Sequence, residues 1–406
     1  MQVVYSCCCG IDVHKKMIVA CLNKSGKRVL RQFGTMTNEL KELCDWLMES
    51  GCEKIAMEST ASYWKPLYNL FEITGLECMV VNAAHMKGLP GRKTDMKDAE
   101  WISDLLRHGL LKASFIPDRG QRELREISRY RKSLVEERAR ELNRLQKMLE
   151  SANIKLGCVV KNINGKSSRQ LLDQIIANKS LSEEEISGLV YGGVRKKLDQ
   201  IVLAIDGVTT PLQRRLLAQV VDHIDDMTRR ISALDALILD YMKHYEYAIA
   251  LLDALPGIAR RSAETIISEI GVDMSRFPSA AHLCSWAGIC PGNNESAGKR
   301  YSGRTTKGNQ TLKSTLVECA KSARNVRSSF FSAQYQRISI RRGKNRATVA
   351  VAHSMLIAIY HVLRDGVPFV DLGSDFYAKF NREKKITACL KKLRDLGWQP
   401  TAVTQP

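Results

Sequence analysis

The chain has 406 residues, enough for two or three domains with cores of their own, and its 44% hydrophobic and 26% charged content is that of an ordinary globular protein. A formal net charge of +19 is more than a small neutral substrate would call for and points to a polyanionic partner, nucleic acid first. Twelve cysteines without a CxxC pair, and without a leader segment or pairing framework, read as reduced thiols in a cytoplasmic protein and argue against structural zinc; no apolar run approaches the roughly 18 residues of a membrane span, so no membrane partner is expected.

In chain order, residues 3–35 read as three strands joined by tight turns. The first ends in Gly10-Ile11-Asp12-Val13, the second spans 17–22, residues 23–26 turn the chain, and the third spans 29–33. An amphipathic helix follows at 38–50, a fourth strand at 54–59 ending in Met57-Glu58-Ser59, a helix at 62–74 and a fifth strand at 76–81. Three sequential strands followed by alternating helix and strand predict an α/β layer with a mixed sheet.

The stretch Lys93-Thr94-Asp95-Met96-Lys97-Asp98-Ala99 opens the next helix, with Thr94 as its N-cap. Its apolar stripe is Ala99, Ile102, Leu105 and Leu106; Lys97, Glu100, Asp104 and Arg107 make a solvated face. Asp95 and Asp98, at i and i+3, fall on the apolar stripe and face inward together. Two inward carboxylates repel and lose hydration, so they need hydrogen bonds, a shared proton or a cation. The plain alternative is that Asp95 caps the helix and Asp98 pairs with a lysine. Asp12 lies among apolar neighbours on the first strand and Glu58 ends the fourth, where ligand sites in open α/β sheets gather. If Asp12, Glu58, Asp95 and Asp98 converge, they make an all-oxygen site for one or two Mg2+ ions.

Residues 119–151 form a long charged helix with ten basic and six acidic residues and with Leu124, Ile127, Leu134, Leu142, Leu145 and Leu149 near heptad spacing. A coiled-coil or interdomain helix is the plain reading. Residues 154–208 are a less regular run of short helices. A second long helix is expected over 211–251, with Leu216, Val220, Ile224, Met227, Ile231, Leu234 and Ile238 as its stripe. Leu255-Pro256-Gly257-Ile258 is either a plain helical turn or the hairpin of a helix-hairpin-helix, which offers backbone N–H groups to phosphate. Between Lys299 and Arg346 stand thirteen Lys or Arg and a single acid, Glu318. Lys307-Gly308-Asn309 opens a further helix, Arg341-Arg342-Gly343-Lys344 is a basic turn read as phosphate-contacting, and the apolar helix over 347–363, bearing His353 and His361, closes a core. The tail from 376 on is helical and then frayed.

The acids in GIDVHKK, MESTASYWKP and KTDMKDA run in the order Asp, Glu, Asp, Asp. In this the chain resembles the RuvC-like domain of DEDD-type insertion-sequence transposases, a family related to Piv-type DNA invertases and described as bridge-RNA-guided recombinases. The family's usual Gly is Ala61 here. The stretch Ala287-Gly288-Ile289-Cys290-Pro291-Gly292 followed by Asn293-Asn294-Glu295-Ser296-Ala297-Gly298-Lys299-Arg300 resembles the family's C-terminal transposase domain, whose nucleophile is a serine before a Gly-Gly pair. Ser296 matches that position, with Ala297-Gly298 in place of the pair; Ser302 is the fallback. By pattern alone, Ser296 reads as an ordinary polar loop residue.

The resemblance implies a ribonuclease-H-like catalytic domain over 1–115, a helical, coiled-coil and dimerisation region over 116–250, and a mainly helical transposase domain over 251–406. It implies Mg2+ on Asp12, Glu58, Asp95 and Asp98, and a phosphoserine link through Ser296. Lys299, Arg300, Arg304, Lys307, Arg341, Arg342 and Lys344 are the expected nucleic-acid contacts. The expected partners are the element's end and target DNA, a guide RNA and further copies of the chain, as a dimer or tetramer, in a prokaryotic cytoplasm. Two other readings stand beside it: a metal-dependent junction nuclease, or an invertase that needs no RNA. An actin-like kinase shares the sheet pattern, but no Gly-rich phosphate loop follows Glu58.

Overall fold

The computed structural model describes residues 2–59, 61–82, 98–292, 294–296, 299–380 and 382–397. The chain divides into two compact units, Met1–Ile116 and Pro117–Pro406.

In the first unit β1 (Cys7–Val13), β2 (Ile18–Lys24), β3 (Lys27–Phe33), β4 (Lys54–Glu58) and β5 (Cys78–Val81) form one sheet in the order β3-β2-β1-β4-β5. The β1–β2 and β2–β3 pairs are antiparallel; β1–β4 and β4–β5 are parallel. This is the mixed sheet the pattern predicts. Between the paired Lys24 and Lys27, Ser25 (φ 51°) and Gly26 (φ 90°) both take the left-handed conformation. That is the twist a two-residue hairpin needs, and it starts β3 two residues before the expected 29.

β1 is buried along its whole length because both of its faces are covered. Cys7, Cys9, Ile11 and Val13 belong to a core shared with α1 (Thr37–Glu49) and α2 (Trp64–Thr74). On the other face lies α3 (Asp98–Arg107). A Cβ on Gly10 would stand 2.2 Å from the Ser103 nitrogen and 2.3 Å from the Ala99 oxygen, so the α3 backbone rests directly on the strand. Burial of Ile102, Leu105 and Leu106 stabilises by about 1.5–3 kcal/mol each, enough to hold a helix that also carries Asp98 inward. The flank expected to be solvated is engaged instead. Arg28 on β3 pairs with Asp104 and lies 4.0 Å from Glu100, and the Arg107 guanidinium donates to Asn23 Oδ1 at 3.4 Å. The helix crosses both β1 and β2, so its polar flank meets the β2–β3 hairpin.

In the second unit α4 (Arg119–Ser151) runs antiparallel to α9 (Pro211–Met242), with Arg131 pairing to Asp235 and Arg138 donating to Thr228. Between them in sequence come α5 (Leu156–Val159), α6 (Lys166–Ile176), α7 (Glu183–Leu189) and α8 (Leu198–Ile205). These short helices enclose a core of their own with the ends of the long pair, through Leu145, Leu149, Leu171, Leu172, Ile201 and Leu217. The stripe of α9 departs from expectation at its start: Leu217 and Val221 are buried, whereas Leu216 is 48% exposed. The pairs Leu216-Leu217 and Val220-Val221 are apolar at both positions, and only the packing partner decides between them. The long helix also ends at Met242, not at 251; a single 3-10 turn, Lys243–Tyr245, redirects the chain into α10 (Glu246–Asp253).

The remaining helices are α11 (Arg260–Ile270), α12 (Ala280–Trp286), α13 (Gln310–Ala323), α14 (Phe330–Arg342), α15 (Lys344–Asp365), α16 (Phe376–Phe380) and α17 (Arg382–Asp395). α15 is the central one and buries Val351, Ala352, Met355, Leu356, Ile359 and Tyr360. Its 22 residues include an 18-residue window of mean hydropathy 1.4, which makes it, among the described residues, the one helix long and apolar enough to cross a membrane by length and composition. Its apolar residues are those that pack α10, α12, α13 and α14 together.

Asp235 ties three helices together. Its carboxylate lies 2.6 Å from Arg131 on α4 and 2.7 Å from Arg261 on α11. Burial pushes the Asp235 carboxyl up, and the two guanidinium groups outweigh it and hold it below the usual carboxylate range. A depressed folded-state pKa stabilises at pH values above the unfolded one, near 3.9, and the gain disappears as the acid is protonated. Asp235→Asn is therefore expected to lower unfolding stability by about 1 kcal/mol at pH 7 and by progressively less as pH falls below the usual carboxylate range, as read from denaturant midpoints along a pH series.

Candidate metal centre and nucleic-acid interface

Strand register and the direction of α3 carry Asp12, Glu58 and Asp98 toward the same end of the sheet. Ile11 pairs with Met57 across the parallel β1–β4 ladder, so the next residues, Asp12 and Glu58, lie abreast. Both fall on the α3 face of the sheet, two residues beyond Gly10 and Ala56 respectively. α3 runs opposite to β1: Val4 N–H donates to the Arg107 carbonyl, Cys8 Sγ lies 3.8 Å from the Ser103 carbonyl, and Gly10 meets Ala99 and Ser103. Its first residue, Asp98, is thereby carried toward the Asp12 end of the strand. Asp12 is 5% and Asp98 8% exposed, and Glu58 is half-buried. Asp95 lies outside the described residues, as does the expected Thr94 cap.

The donor set is all carboxylate oxygen, the chemistry a hard divalent cation prefers. The described residues alone do not form a ready cage; among them no three His, Cys, Asp or Glu side chains are drawn close enough to hold a metal ion. Sequence reasoning missed His14, whose Nε2 lies 3.0 Å from Asp12 Oδ2. The signal was present, because residues i and i+2 of an extended segment project to the same side.

In the second unit Ser296 ends β6 (Asn294–Ser296) and pairs with Lys299 at the start of β7 (Lys299–Ser302). Glu295 pairs with Arg300 and Asn294 with Ser302. The stretch read from sequence as a loop is thus a hairpin. Its stem continues downward: Gly292 N–H donates to the Arg304 carbonyl at 2.8 Å and Thr306 N–H to the Cys290 carbonyl at 3.2 Å. At the base two glycines cross. Gly288 has φ +70°, and a Cβ on Gly308 would stand 2.4 Å from the Gly288 nitrogen.

That base is held by a buried charge cluster which the sequence did not disclose. Glu269 on α11 is 0% exposed. It accepts from Arg129 Nε and NH2 at 2.7 and 2.8 Å, lies 3.2 Å from Arg125 Nε, and accepts from Asn309 Nδ2 at 2.6 Å. Asn309 Oδ1 in turn caps α13 by accepting from Leu312 N–H at 3.0 Å. Burial pulls the Arg125 guanidinium down to about 10, against the opposing pull of Glu269. An acid on the Ile266, Ile267, Ile270 stripe was the available signal, the same one that marked Asp98.

Of the basic residues singled out, Arg304 and Arg342 line one cleft beside the stem. Arg341 and Lys344 are exposed at the elbow where α14 meets α15, and Lys307 is exposed just before α13. Lys299 and Arg300 lie on β7. The Leu255–Ile258 turn does join two helices, α10 and α11, and its Gly257 (φ +87°) is packed on α13: a Cβ there would stand 2.5 Å from the Ala323 nitrogen.

Two family descriptions match the chain. One, the DEDD type from IS110 elements, described as Transposase, matches residues 9–154; the other, described as Transposase IS116/IS110/IS902 family, matches residues 249–336. The first window holds the sheet, α3 and α4, and the second holds the Ser296 hairpin and the Glu269 cluster's α11 and α13. The chain is similar to "Putative transposase y4qE" of Sinorhizobium fredii, 27% identical over 63% of this chain and 54% of that protein. It is similar to the "Insertion element IS110 uncharacterized 43.6 kDa protein" of Streptomyces coelicolor, 26% identical over 68% of this chain and 72% of that one. It is also similar to the "Pilin gene-inverting protein" of Moraxella lacunata, 28% identical over 39% of this chain and 52% of that protein. The chain thus spans about half the length of the first and the third.

Proposed function

We propose, for a chain that belongs with the IS110-type transposases, that it is a DNA recombinase which cuts and rejoins DNA through a serine–phosphodiester intermediate. The observation that carries the reading is the placement of Asp12 and Glu58 abreast on neighbouring parallel strands, with Asp98 heading the helix that lies over them. The strand order β3-β2-β1-β4-β5, antiparallel through β1 and parallel beyond it, supports a ribonuclease-H-like fold for this unit. Asp12, Glu58 and Asp98, together with Asp95, would hold one or two Mg2+ ions. Bound there, the cation supplies charge stabilisation for the attacking and leaving oxygens.

The chain's own residues do the rest. The Ser296 hydroxyl gives up its proton and attacks phosphorus; the Ser–O–P bond forms as one deoxyribose oxygen leaves with a proton. A hydroxyl of the partner strand then attacks the phosphoserine and releases Ser296, so strands are exchanged without hydrolysis. Lys299, Arg300 and Arg304 carry the positive charge that the phosphate's developing negative charge requires. Lys307, Arg341, Arg342 and Lys344 hold the nucleic-acid backbone. A guide RNA made from the element's end chooses the sites, consistent with a chain in which no base-reading motif stands out. The working form is a homo-oligomer, a dimer or tetramer.

Covalent trapping tests this. Purified protein, Mg2+, element-end DNA and RNA transcribed from that end are incubated and run on a denaturing gel. A protein–DNA adduct is expected, lost in Ser296→Ala, in Asp12→Asn and after chelation of the metal. An adduct that survives Ser296→Ala and disappears in Ser302→Ala would move the nucleophile. Metal-dependent cleavage that persists in Ser296→Ala with no adduct would replace the recombinase by a junction nuclease. The resemblance to a pilin gene-inverting protein supports DNA inversion as one outcome of the reaction; an adduct formed equally with and without RNA would remove the guide and leave an invertase that needs no RNA.

A further inference from the structure

Beside the hairpin stem lies a cleft of about 1210 Å3, walled by Ile289, Pro291 and Arg304 on one side and by α14 and α15 on the other. It exceeds the roughly 300–1,000 Å3 of pockets built for one small molecule, so its size suits a chain segment. Its chemistry is divided. Ile289, Pro291, Ile338, Val349 and Ala350 give it an apolar floor, and Arg304, Arg342 and Arg346 give it three guanidinium groups; no carboxylate stands among the described residues that line it.

Two side chains in its wall add a second observation. Gln334 donates through Nε2 to Ser354 Oγ at 2.8 Å, which leaves its Oε1 buried with no hydrogen-bond partner among the described residues. A buried acceptor left unmade costs about 1–3 kcal/mol, a cost that a turn of the Gln334 amide toward a ligand N–H in the cleft would relieve. His353 is half-buried, and burial lowers its pKa, so the ring meets a ligand as a neutral donor and acceptor.

We propose that this cleft seats an unpaired stretch of nucleic acid, with bases against the apolar floor and the Gln334 amide and phosphates on Arg304, Arg342 and Arg346. A duplex has no use for the apolar floor, because its base faces are already stacked and its outer surface is phosphate and sugar, so its binding does not depend on this cleft. Unpaired nucleotides present both an apolar face and free N–H groups, and arginine planes stack on them. The occupant is a displaced DNA strand or a single-stranded part of an RNA. The assignment rests on the reading of the chain as a nucleic-acid enzyme, but its test measures binding and not strand joining, so the two fail separately.

The test uses the full chain and three labelled probes of one sequence: single-stranded DNA, single-stranded RNA and duplex DNA, titrated by fluorescence anisotropy across a salt series. Arg342 and Arg346 are exposed, so the double variant Arg342→Ala/Arg346→Ala should fold, and a thermal melt checks that. Single-strand affinity is expected to fall about tenfold or more, with the slope of log affinity on log salt reduced by about 0.7 for each phosphate no longer neutralised. Duplex affinity is expected to change less than about threefold. A 5-iodouracil or 4-thiouracil base in the strand should crosslink to the peptide spanning 334–354. The probe that responds, DNA or RNA, names the source of the strand. Equal losses for single strand and duplex, or crosslinks that all fall outside the cleft, would overturn the proposal. Normal single-strand binding in a protein that never forms the Ser296 adduct would retain the cleft and remove the recombinase.

Discussion

Gly10→Ala is expected to abolish both the adduct and the native packing of the first unit. The added methyl would stand 2.2 Å from the Ser103 nitrogen, 2.3 Å from the Ala99 oxygen and 2.8 Å from the Ser103 Cα. All three are backbone atoms of one helix, so no side chain can swing aside. The helix must lift off the sheet or the strand must bend. Overpacking of this kind costs about 3 kcal/mol or more. A lifted α3 unpacks Ile102 and Leu106 from the sheet, and it carries Asp98 away from Asp12. An error of about 1 Å in catalytic placement costs on the order of a hundredfold in rate. Thermal unfolding and adduct formation are to be measured together. A Gly10→Ala protein that melts with the wild type would show that α3 does not rest on β1, and the convergence of the acids would fall with it. Cys8→Ala is the matched control: it removes a buried thiol from the same face and leaves the close approach at Gly10 intact.

Glu269→Ala is expected to be the most damaging change in the second unit. It removes the acceptor of a bidentate pair with Arg129 and the neighbour of Arg125, whose side chain is 15% exposed. Two guanidinium groups would then lose their shared acceptor, and that of Arg125 is largely buried. Breaking a buried pair by removing one partner costs about 3–5 kcal/mol, far above the 0–1 kcal/mol of an exposed pair such as Lys243–Asp240. For a unit of this size that is a fall of about ten degrees in melting temperature. Asn309 loses its anchor as well, and with it the start of α13 and the Gly288–Gly308 crossing beneath the Ser296 hairpin. Glu269→Gln keeps the shape and one acceptor, so its effect should be smaller. If Glu269→Ala melts within two degrees of the wild type by the same scan (a shift of about 1 kcal/mol), the cluster is not what holds the base of the stem.

Much of the first unit is legible in the sequence. The hairpin at Ser25-Gly26 follows from turn chemistry, and the inward side of α3 from the spacing of Asp98, Ile102 and Leu106. The second unit is less so. The stretch from 287 to 308 has no alternation of apolar and polar residues, so the stem and the β6–β7 hairpin leave no periodic trace. Their pairing is set by a crossing of two glycines twenty positions apart, where the absence of side chains is the only mark. Glu269 escapes notice because an acid on an apolar stripe is visible only when one asks what neutralises it, and its two arginines lie about 140 residues earlier.

The sequence by itself determined the mixed sheet and the long helices, because strand patterning, turn residues and helical periodicity act over ten residues or fewer. Tertiary structure alone decided which of Leu216 and Leu217 is buried, where the second long helix ends, that the polar flank of α3 is engaged by Arg28, and that Arg304 and Arg342 share a cleft. Each of these depends on a partner distant in the chain, and local patterning carries no information about which surface will be presented to it.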